Sequence, residues 1–139
     1  MQLPLEEMRR EFGERLEEQA PLARLTSARL GGSADALITA GSADELAHAM
    51  RWLWERSLPC RILGGGSNVL VSDRGFRGVV VLNRARRIEF DETPGAAGVW
   101  AESGANFGLI SRQAGLRGLS GLEWAVGIPG TLGGAVVGN

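Results

Sequence analysis

The sequence predicts an α+β fold of two lobes, and two observations support this prediction. A strand, a helix and a second strand follow one another in residues 36–63, as in a small α/β unit. Short segments rich in β-branched residues, separated by turn residues, then fill most of residues 69–102. We therefore expect an N-terminal helix in residues 1–20, a first lobe in residues 21–66 and a second lobe in residues 67–139.

The N-terminal segment is predicted to form an amphipathic helix over residues 5–19. Apolar residues recur at helical spacing from Leu5 to Leu16, and charged residues occupy the other faces. Such a charge run is typical of a solvated helix face and does not indicate a binding site. Pro21 is expected to end the helix.

The α/β unit has clear boundaries. Residues 36–40 have the pattern of a strand, and Ser42 with Glu45 has the capping-box spacing that starts a helix, here to about Arg56. Residues 60–63 form the second strand, and units of this kind usually make a parallel strand pair. The loop that follows should then lie at the carboxyl edge of the sheet, where open α/β sheets usually bind ligands.

The second lobe is predicted to be rich in strands and incomplete. A helix is expected at residues 105–114, and from Gly115 glycine and apolar residues alternate without a closing strand. The preceding strands are predicted at residues 69–71, 79–82, 88–90 and 99–102.

Composition excludes several classes of function. The net charge is -1, so no nucleic acid or anionic membrane is expected as a partner. The chain has no lysine, which excludes a Schiff-base enzyme and a Walker-type phosphate loop. One histidine, His48, and one cysteine, Cys60, cannot assemble the usual zinc ligand set. We expect His48 on the surface and Cys60 as a buried structural thiol.

The predicted location is cytoplasmic. No apolar run approaches the ~18 residues that cross a bilayer, and the N-terminus lacks the pattern of a signal peptide. A single cysteine also cannot form an internal disulfide.

The first candidate binding site is a glycine-rich loop after the second strand. Its backbone N–H groups are free of Cβ atoms and can surround phosphate oxygens, and two polar side chains follow. The loop departs from the G-x-G-x-x-G dinucleotide pattern, since Val69 holds the sixth position. A tight structural turn between strands is the alternative. The candidate residues are Gly64, Gly65, Gly66, Ser67, Asn68 and Val69.

The second candidate site is another glycine-rich stretch, in which Pro129 and Gly130 suit a type II turn and Thr131 can cap a following helix. A close-packed backbone crossing in the core is the alternative. Two such loops suit a ligand with a pyrophosphate and a flat ring system, so a nucleotide cofactor is the leading hypothesis. The candidate residues are Gly127, Ile128, Pro129, Gly130, Gly133, Gly134 and Ala135.

Three motifs resemble the N-terminal part of the UDP-N-acetylenolpyruvoylglucosamine reductase (MurB) family. They are T-x-x-R-L-G-G-S-A at residues 26–34, I-L-G-G-G-S-N-V-L-V at residues 62–71 and G-L-S-G-L-E-W-A-V-G-I-P-G-T-L-G-G-A-V-x-x-N at residues 118–139. Their order and spacing agree with the family over residues 21–139. The N-terminal helix lies outside the resemblance.

The resemblance implies a two-lobed FAD-binding domain of the PCMH type, similar to vanillyl-alcohol oxidase. The first loop would bind the FAD pyrophosphate, and the second would line the other wall of the flavin site. The family uses NADPH to reduce FAD and transfers a hydride to UDP-N-acetylglucosamine enolpyruvate, which gives UDP-N-acetylmuramate for peptidoglycan synthesis. The family's catalytic serine, arginine and glutamate match no position of this chain, so no catalytic residue is predicted and the chain alone is expected to be inactive.

Two other functions stay open: another PCMH-type flavin oxidoreductase, and a non-catalytic nucleotide-binding or assembly module. An incomplete second lobe would also expose strand edges and apolar surface, so we expect self-association or marginal stability.

Overall fold

The computed structural model describes residues 3–138, in which two β-sheets combine with helices. This arrangement agrees with the predicted α+β class. The elements are α1 (Leu5–Phe12), β1 (Leu16–Pro21), β2 (Ser33–Ala40), α2 (Ala43–Glu55), β3 (Cys60–Leu63), β4 (Phe76–Asn83), β5 (Ile88–Asp91), β6 (Gly98–Ala101), α3 (Phe107–Leu116) and α4 (Leu132–Gly138).

The larger sheet has the strand order β1-β2-β4-β3, in which β4 is parallel to both β2 and β3. The prediction of a direct pair between residues 36–40 and 60–63 is therefore wrong, because β4 lies between the two strands. β4 follows the predicted lobe boundary at residues 66–67, yet it is central in this sheet. Its run of buried valines suits a strand that is covered on both faces.

The N-terminal helix is shorter than the predicted range of residues 5–19. α1 ends at Phe12, because Gly13 takes a φ of +55° that does not continue a helix. The chain then enters β1, which pairs antiparallel with β2 from Leu16 opposite Ile38 to Pro21 opposite Ser33. The N-terminal segment thus adds an edge strand to the sheet.

The second helix matches its prediction. Ser42 caps α2 by accepting a hydrogen bond from the Glu45 N–H at 3.2 Å. The Glu45 carboxylate accepts in turn from the Gly41 N–H at 2.7 Å, one residue before the position that a capping box uses. The apolar face of α2 packs on one side of the sheet together with Met8 and Phe12 of α1.

The opposite face of the sheet carries a smaller apolar cluster that includes Leu22, Leu37, Leu63 and Leu82. A third cluster forms around Phe107 and Ile110 of α3. The chain therefore has one main core and two smaller ones, and the third lies beside the second glycine-rich stretch.

The second half differs from the prediction at one strand. Residues 69–71 form no strand, whereas the strands predicted at residues 88–90 and 99–102 are present as β5 and β6, which pair antiparallel. α3 lies two residues later than predicted, because Asn106 caps it by accepting from the Leu109 N–H at 2.8 Å. In residues 3–138, no helix has the length and apolar character needed to cross a membrane.

Candidate functional site

The first glycine-rich loop leaves the sheet where three parallel strands end together. β3 and β4 pair up to Leu63 opposite Leu82, so Gly64 follows at the carboxyl edge beside Asn83. The sequence predicted this location for the loop. It is the edge at which open α/β sheets usually bind ligands.

The backbone N–H groups of this loop are unpaired among the described residues. Within residues 3–138, none of the N–H groups from Gly65 to Val69 donates a hydrogen bond to another part of the chain. Ser67, Asn68 and Val69 are exposed to solvent. A run of unpaired amides at an exposed turn suits an anion such as a phosphate group.

Gly66 fixes the loop to the segment that contains the first motif. Its φ is +67°, and a Cβ atom there would overlap the Leu25 carbonyl oxygen. The Gly66 carbonyl also accepts a hydrogen bond from the Ser27 N–H at 3.0 Å. Gly66 therefore has a structural role at a buried turn, while its neighbours face outward.

The two glycine-rich stretches are in contact. A Cβ atom on Gly64 would lie 2.6 Å from Thr131 Oγ1, and one on Gly130 would lie 2.7 Å from Ser67 Oγ. Glycine at both positions permits this approach. The close-packed crossing considered for the second stretch is therefore present, and it coexists with unpaired amides in the first loop.

A short segment before α3 holds the second stretch in place. The Gly133 N–H donates to the Ser103 carbonyl and the Leu132 N–H to the Ala105 carbonyl, each at 2.8 Å. Phe107 N–H donates to the Gly130 carbonyl at 3.2 Å. The second stretch is thus fixed by backbone hydrogen bonds on the side away from the first loop.

Three of the predicted residues in this stretch lie in the helix that Thr131 was expected to cap, so that expectation is confirmed. Gly133, Gly134 and Ala135 belong to α4, which Thr131 caps by accepting from the Gly134 N–H at 3.2 Å. A Cβ atom on Gly133 would lie 2.9 Å from the Ser103 carbonyl oxygen, so this glycine permits close packing. Ala135 packs against the third apolar cluster.

A cavity of about 350 Å³ lies beside the other predicted residues of this stretch. Gly127, Ile128 and Pro129 line it, and none of residues 64–69 does. The other lining residues come from α3 and its flanks, and sequence reasoning missed them: Asn106, Gly108, Leu109, Arg112 and Val126. A signal was present in the i, i+4 spacing of Gly108 and Arg112, which puts a small residue and a cation on one helix face.

Arginines follow β4 at the same edge of the sheet as the first loop. Partial burial, and then the neighbouring charge of Arg86, lower the pKa of Arg84. In the described part of the chain, Arg84 and Arg86 form no ion pair, whereas Arg87 pairs with Glu89. This edge of the sheet therefore carries the positive charges of Arg84 and Arg86, which no carboxylate of the described residues pairs with.

The two single-copy residues lie away from this edge. His48 is exposed on α2, as predicted, and its Nε2 is 2.7 Å from Glu11 Oε1. Cys60 begins β3 and packs against the main core, but it is only half-buried, less than the predicted buried structural thiol. Partial burial raises the pKa of the Cys60 thiol.

Comparison with known proteins agrees with these features. The FAD binding domain family matches residues 34–139. Over 125 residues the chain is 42% identical to UDP-N-acetylenolpyruvoylglucosamine reductase of Synechococcus sp. (strain RCC307). These aligned residues are 89% of this chain and 40% of that protein. The reductase of Caldanaerobacter subterraneus is 45% identical over 120 residues, 86% of this chain and 38% of that protein.

A solved structure gives the same relationship. The crystal structure of UDP-N-acetylenolpyruvylglucosamine reductase (MurB) from Thermus caldophilus superposes with a TM-score of 0.67 at 34% identity, over 88% of this chain and 41% of that one. The chain thus spans about 40% of the length of the Synechococcus and Caldanaerobacter reductases. It belongs to the FAD binding domain family, with a PCMH-type fold, and corresponds to the FAD-binding part of the MurB reductases.

Proposed function

We propose that this chain binds FAD as the flavin-binding part of an NADPH-dependent reductase. The full reaction would convert UDP-N-acetylglucosamine enolpyruvate to UDP-N-acetylmuramate in peptidoglycan synthesis. The observation that carries the proposal is the contact between two glycine-rich stretches, at Gly64 with Thr131 and at Gly130 with Ser67, beside the unpaired amides from Gly65 to Val69.

The two stretches would hold different parts of the cofactor. The N–H groups from Gly65 to Asn68, with the Ser67 hydroxyl, suit the oxygens of the diphosphate. Gly127, Ile128 and Pro129 suit a flat ring system, because they line a cavity and have apolar side chains or none. Gly130, Gly133, Gly134 and Ala135 would form the wall behind them. When bound, FAD supplies the hydride-transfer chemistry.

The substrate and the reductant are further parts of the proposal. The names of the relatives support a UDP-sugar substrate, and NADPH is the reductant that the family resemblance implies. No residue of this chain is assigned to either, nor to proton transfer. The division into residues 1–20, 21–66 and 67–139 is also a proposal. β1 and β4 lie outside residues 22–66 but pair in the sheet of the first lobe.

Titration with three flavins tests the proposal directly. FAD has a diphosphate, FMN has one phosphate and riboflavin has none, so their affinities report on the amide nest. Charge-assisted hydrogen bonds contribute about 1.5–3 kcal/mol each, so FAD should bind at least about tenfold more tightly than riboflavin. Flavin fluorescence and visible absorbance give the dissociation constants. Equal affinity for all three flavins, or no saturable binding of any of them, would contradict the proposal.

The alternatives differ in what happens to the bound flavin. Bleaching of the flavin absorbance on addition of NADPH favours a reductase over a non-catalytic nucleotide-binding module. A flavin that stays attached after denaturation favours another PCMH-type oxidoreductase. We also propose a cytoplasmic location, in keeping with one unpaired cysteine.

Self-association remains a prediction for this chain. Val136 and Val137 of α4 are 71% and 88% exposed, and Leu70 is 87% exposed. Apolar side chains that face water favour association when they lie close together. Sedimentation velocity over a range of concentrations would detect it, and a concentration-independent monomer would contradict the prediction.

A further inference from the structure

Glu102 is a buried carboxylate that links separate parts of the chain. The residue is 8% exposed. Its Oε1 accepts from the Ala43 N–H at the start of α2, and its Oε2 accepts from the Arg87 N–H after β4, both at 2.8 Å. The Glu102 N–H also donates to the Arg87 carbonyl at 2.9 Å. One side chain thus uses both oxygens to connect the main helix with the region after the central strand.

The residues after Glu102 carry the second glycine-rich stretch. The carbonyls of Ser103 and Ala105 accept the hydrogen bonds from the Gly133 and Leu132 N–H groups. Ser103 Oγ also accepts from Asn83 Nδ2 at 2.8 Å. A continuous set of hydrogen bonds therefore runs from α2 and the end of β4, through residues 102–105, to the wall that faces the first loop.

We propose that Glu102 is a positioning residue for the flavin site, which sets the second glycine-rich stretch at its distance from the first. This inference rests on the proposed function of the two stretches. Glu102 does not line the cavity beside Ile128 and lies outside both glycine-rich stretches. Glu102 therefore acts on flavin binding indirectly, through residues 103–105, which hold the second glycine-rich stretch.

The position of Glu102 makes this effect dependent on pH. The hydrogen bonds from the Arg87 and Ala43 N–H groups lower the pKa of Glu102 below the ordinary 4.5, and the Arg87 guanidinium adds to the shift. The anchoring contribution is therefore fully present above pH 4.5 and is lost as the pH falls through the lowered value. The charged groups nearest in sequence to its two hydrogen-bond donors are Asp44 and Glu45 beside Ala43, and Arg84, Arg86 and Glu89 around Arg87.

Glu102→Gln tests the proposal because it keeps the size of the side chain but replaces one acceptor oxygen by an NH₂ group, which faces an N–H donor. Glu92→Gln is the matched control: it makes the same charge change at an exposed residue of the β5–β6 turn, which pairs with Arg117. At pH 7, Glu102→Gln should bind FAD at least about tenfold more weakly than Glu92→Gln. This difference should shrink as the pH falls through the lowered pKa of Glu102, because Glu102 of the control is then protonated as well.

Amide hydrogen exchange without flavin provides a second measurement. In Glu102→Gln, the Leu132 and Gly133 N–H groups should exchange at least about tenfold faster than in the control, while Val81 in β4 keeps its protection. If Glu102→Gln does not fold, Glu102→Asp takes its place, because the shorter carboxylate cannot reach both N–H groups.

The outcomes separate this inference from the proposed function. If the unmodified chain does not bind FAD, the proposed function fails, and faster exchange at Gly133 still supports the positioning role. If the chain binds FAD and the Glu102 variant matches the Glu92 control in affinity and in exchange, the positioning role is overturned. A loss of affinity in Glu102→Gln, relative to the control, that stays the same from pH 7 down through the lowered pKa of Glu102 would also overturn it, because protonation of Glu102 would then not matter.

Discussion

Gly64 and Thr131 are in direct contact although they lie in different glycine-rich stretches of the chain. An added Cβ on Gly64 would be 2.6 Å from Thr131 Oγ1, 3.3 Å from its Cγ2 and 3.6 Å from its Cβ. The first distance is too short for any side chain, the second is tighter than most contacts, and the third is an ordinary contact. The contact thus depends on glycine at residue 64, and it fixes how closely the two stretches approach.

Gly64→Ala should therefore destabilise the chain and weaken flavin binding, by about 1–3 kcal/mol as for other overpacked sites. Thr131→Ala removes Oγ1 and Cγ2, the two atoms that come closest to a Cβ added at residue 64. It also removes the cap of α4, at a cost of about 0.5–2 kcal/mol. The double variant should be more stable than the sum of the two single changes predicts, by about 1 kcal/mol or more. Urea unfolding of all four proteins measures this coupling, and strict additivity would show that the contact has no energetic role.

Gly66→Ala and Gly95→Ala separate a steric overlap from backbone strain. Both glycines have positive φ, at +67° and +80°, but only a Cβ on Gly66 meets another atom, the Leu25 carbonyl oxygen. Gly95→Ala should cost about 1–2 kcal/mol from strain alone. Gly66→Ala should cost more than about 4 kcal/mol or prevent folding, and thermal unfolding compares them. Equal costs for the two changes would mean that the first loop can move away from Leu25.

Cys60 should react slowly with alkylating reagents. Partial burial raises the pKa of its thiol, against smaller opposing effects of Arg61 and Trp54. The thiolate is the reactive form, so at pH 8 the folded chain should be alkylated by iodoacetamide several-fold more slowly than the chain in urea. The rate can be followed by mass spectrometry without ambiguity, because the chain has one cysteine. A rate in the folded chain that equals or exceeds that of the unfolded chain would contradict this prediction.

Local signals were sufficient to predict α2 from the sequence. Ser42 and Glu45 cap its start, and its apolar residues have helical spacing over the whole element. These features act within one or two turns of the chain. The predicted bounds therefore agree with the structure to within one residue.

Distant partners decided the elements that were predicted wrongly. The pattern up to Leu16 is helical, but residues 16–21 gain more from pairing with β2 than from extending a helix past Gly13. Residues 69–71 have high strand propensity, yet they follow the exposed loop and find no strand partner. The insertion of β4 between β2 and β3 likewise depends on long-range pairing.

The candidate site divides in the same way. The glycines of the two stretches could be identified from the sequence, because glycine marks close backbone approach and unusual φ. Their mutual contact and the close approach of Gly66 to Leu25 follow from tertiary packing. Glu102 gave no sequence signal, since its partners Ala43 and Arg87 lie 59 and 15 residues away.

Flavin binding by the first loop is the central claim, and Gly65 offers the most direct test of it. Gly65 is exposed, and a Cβ there would meet Gly130 at an ordinary distance of 3.5 Å, so a small side chain fits. Gly65→Asp places a carboxylate among the unpaired amides, and Gly65→Asn places a neutral side chain of the same size there.

The measurement is the FAD dissociation constant of both variants and of the unmodified chain at pH 7. We predict saturable binding by the unmodified chain, a moderate loss in Gly65→Asn and a further loss of at least about tenfold in Gly65→Asp, because the carboxylate repels the diphosphate. Equal affinity of the two variants would contradict a diphosphate site in this loop.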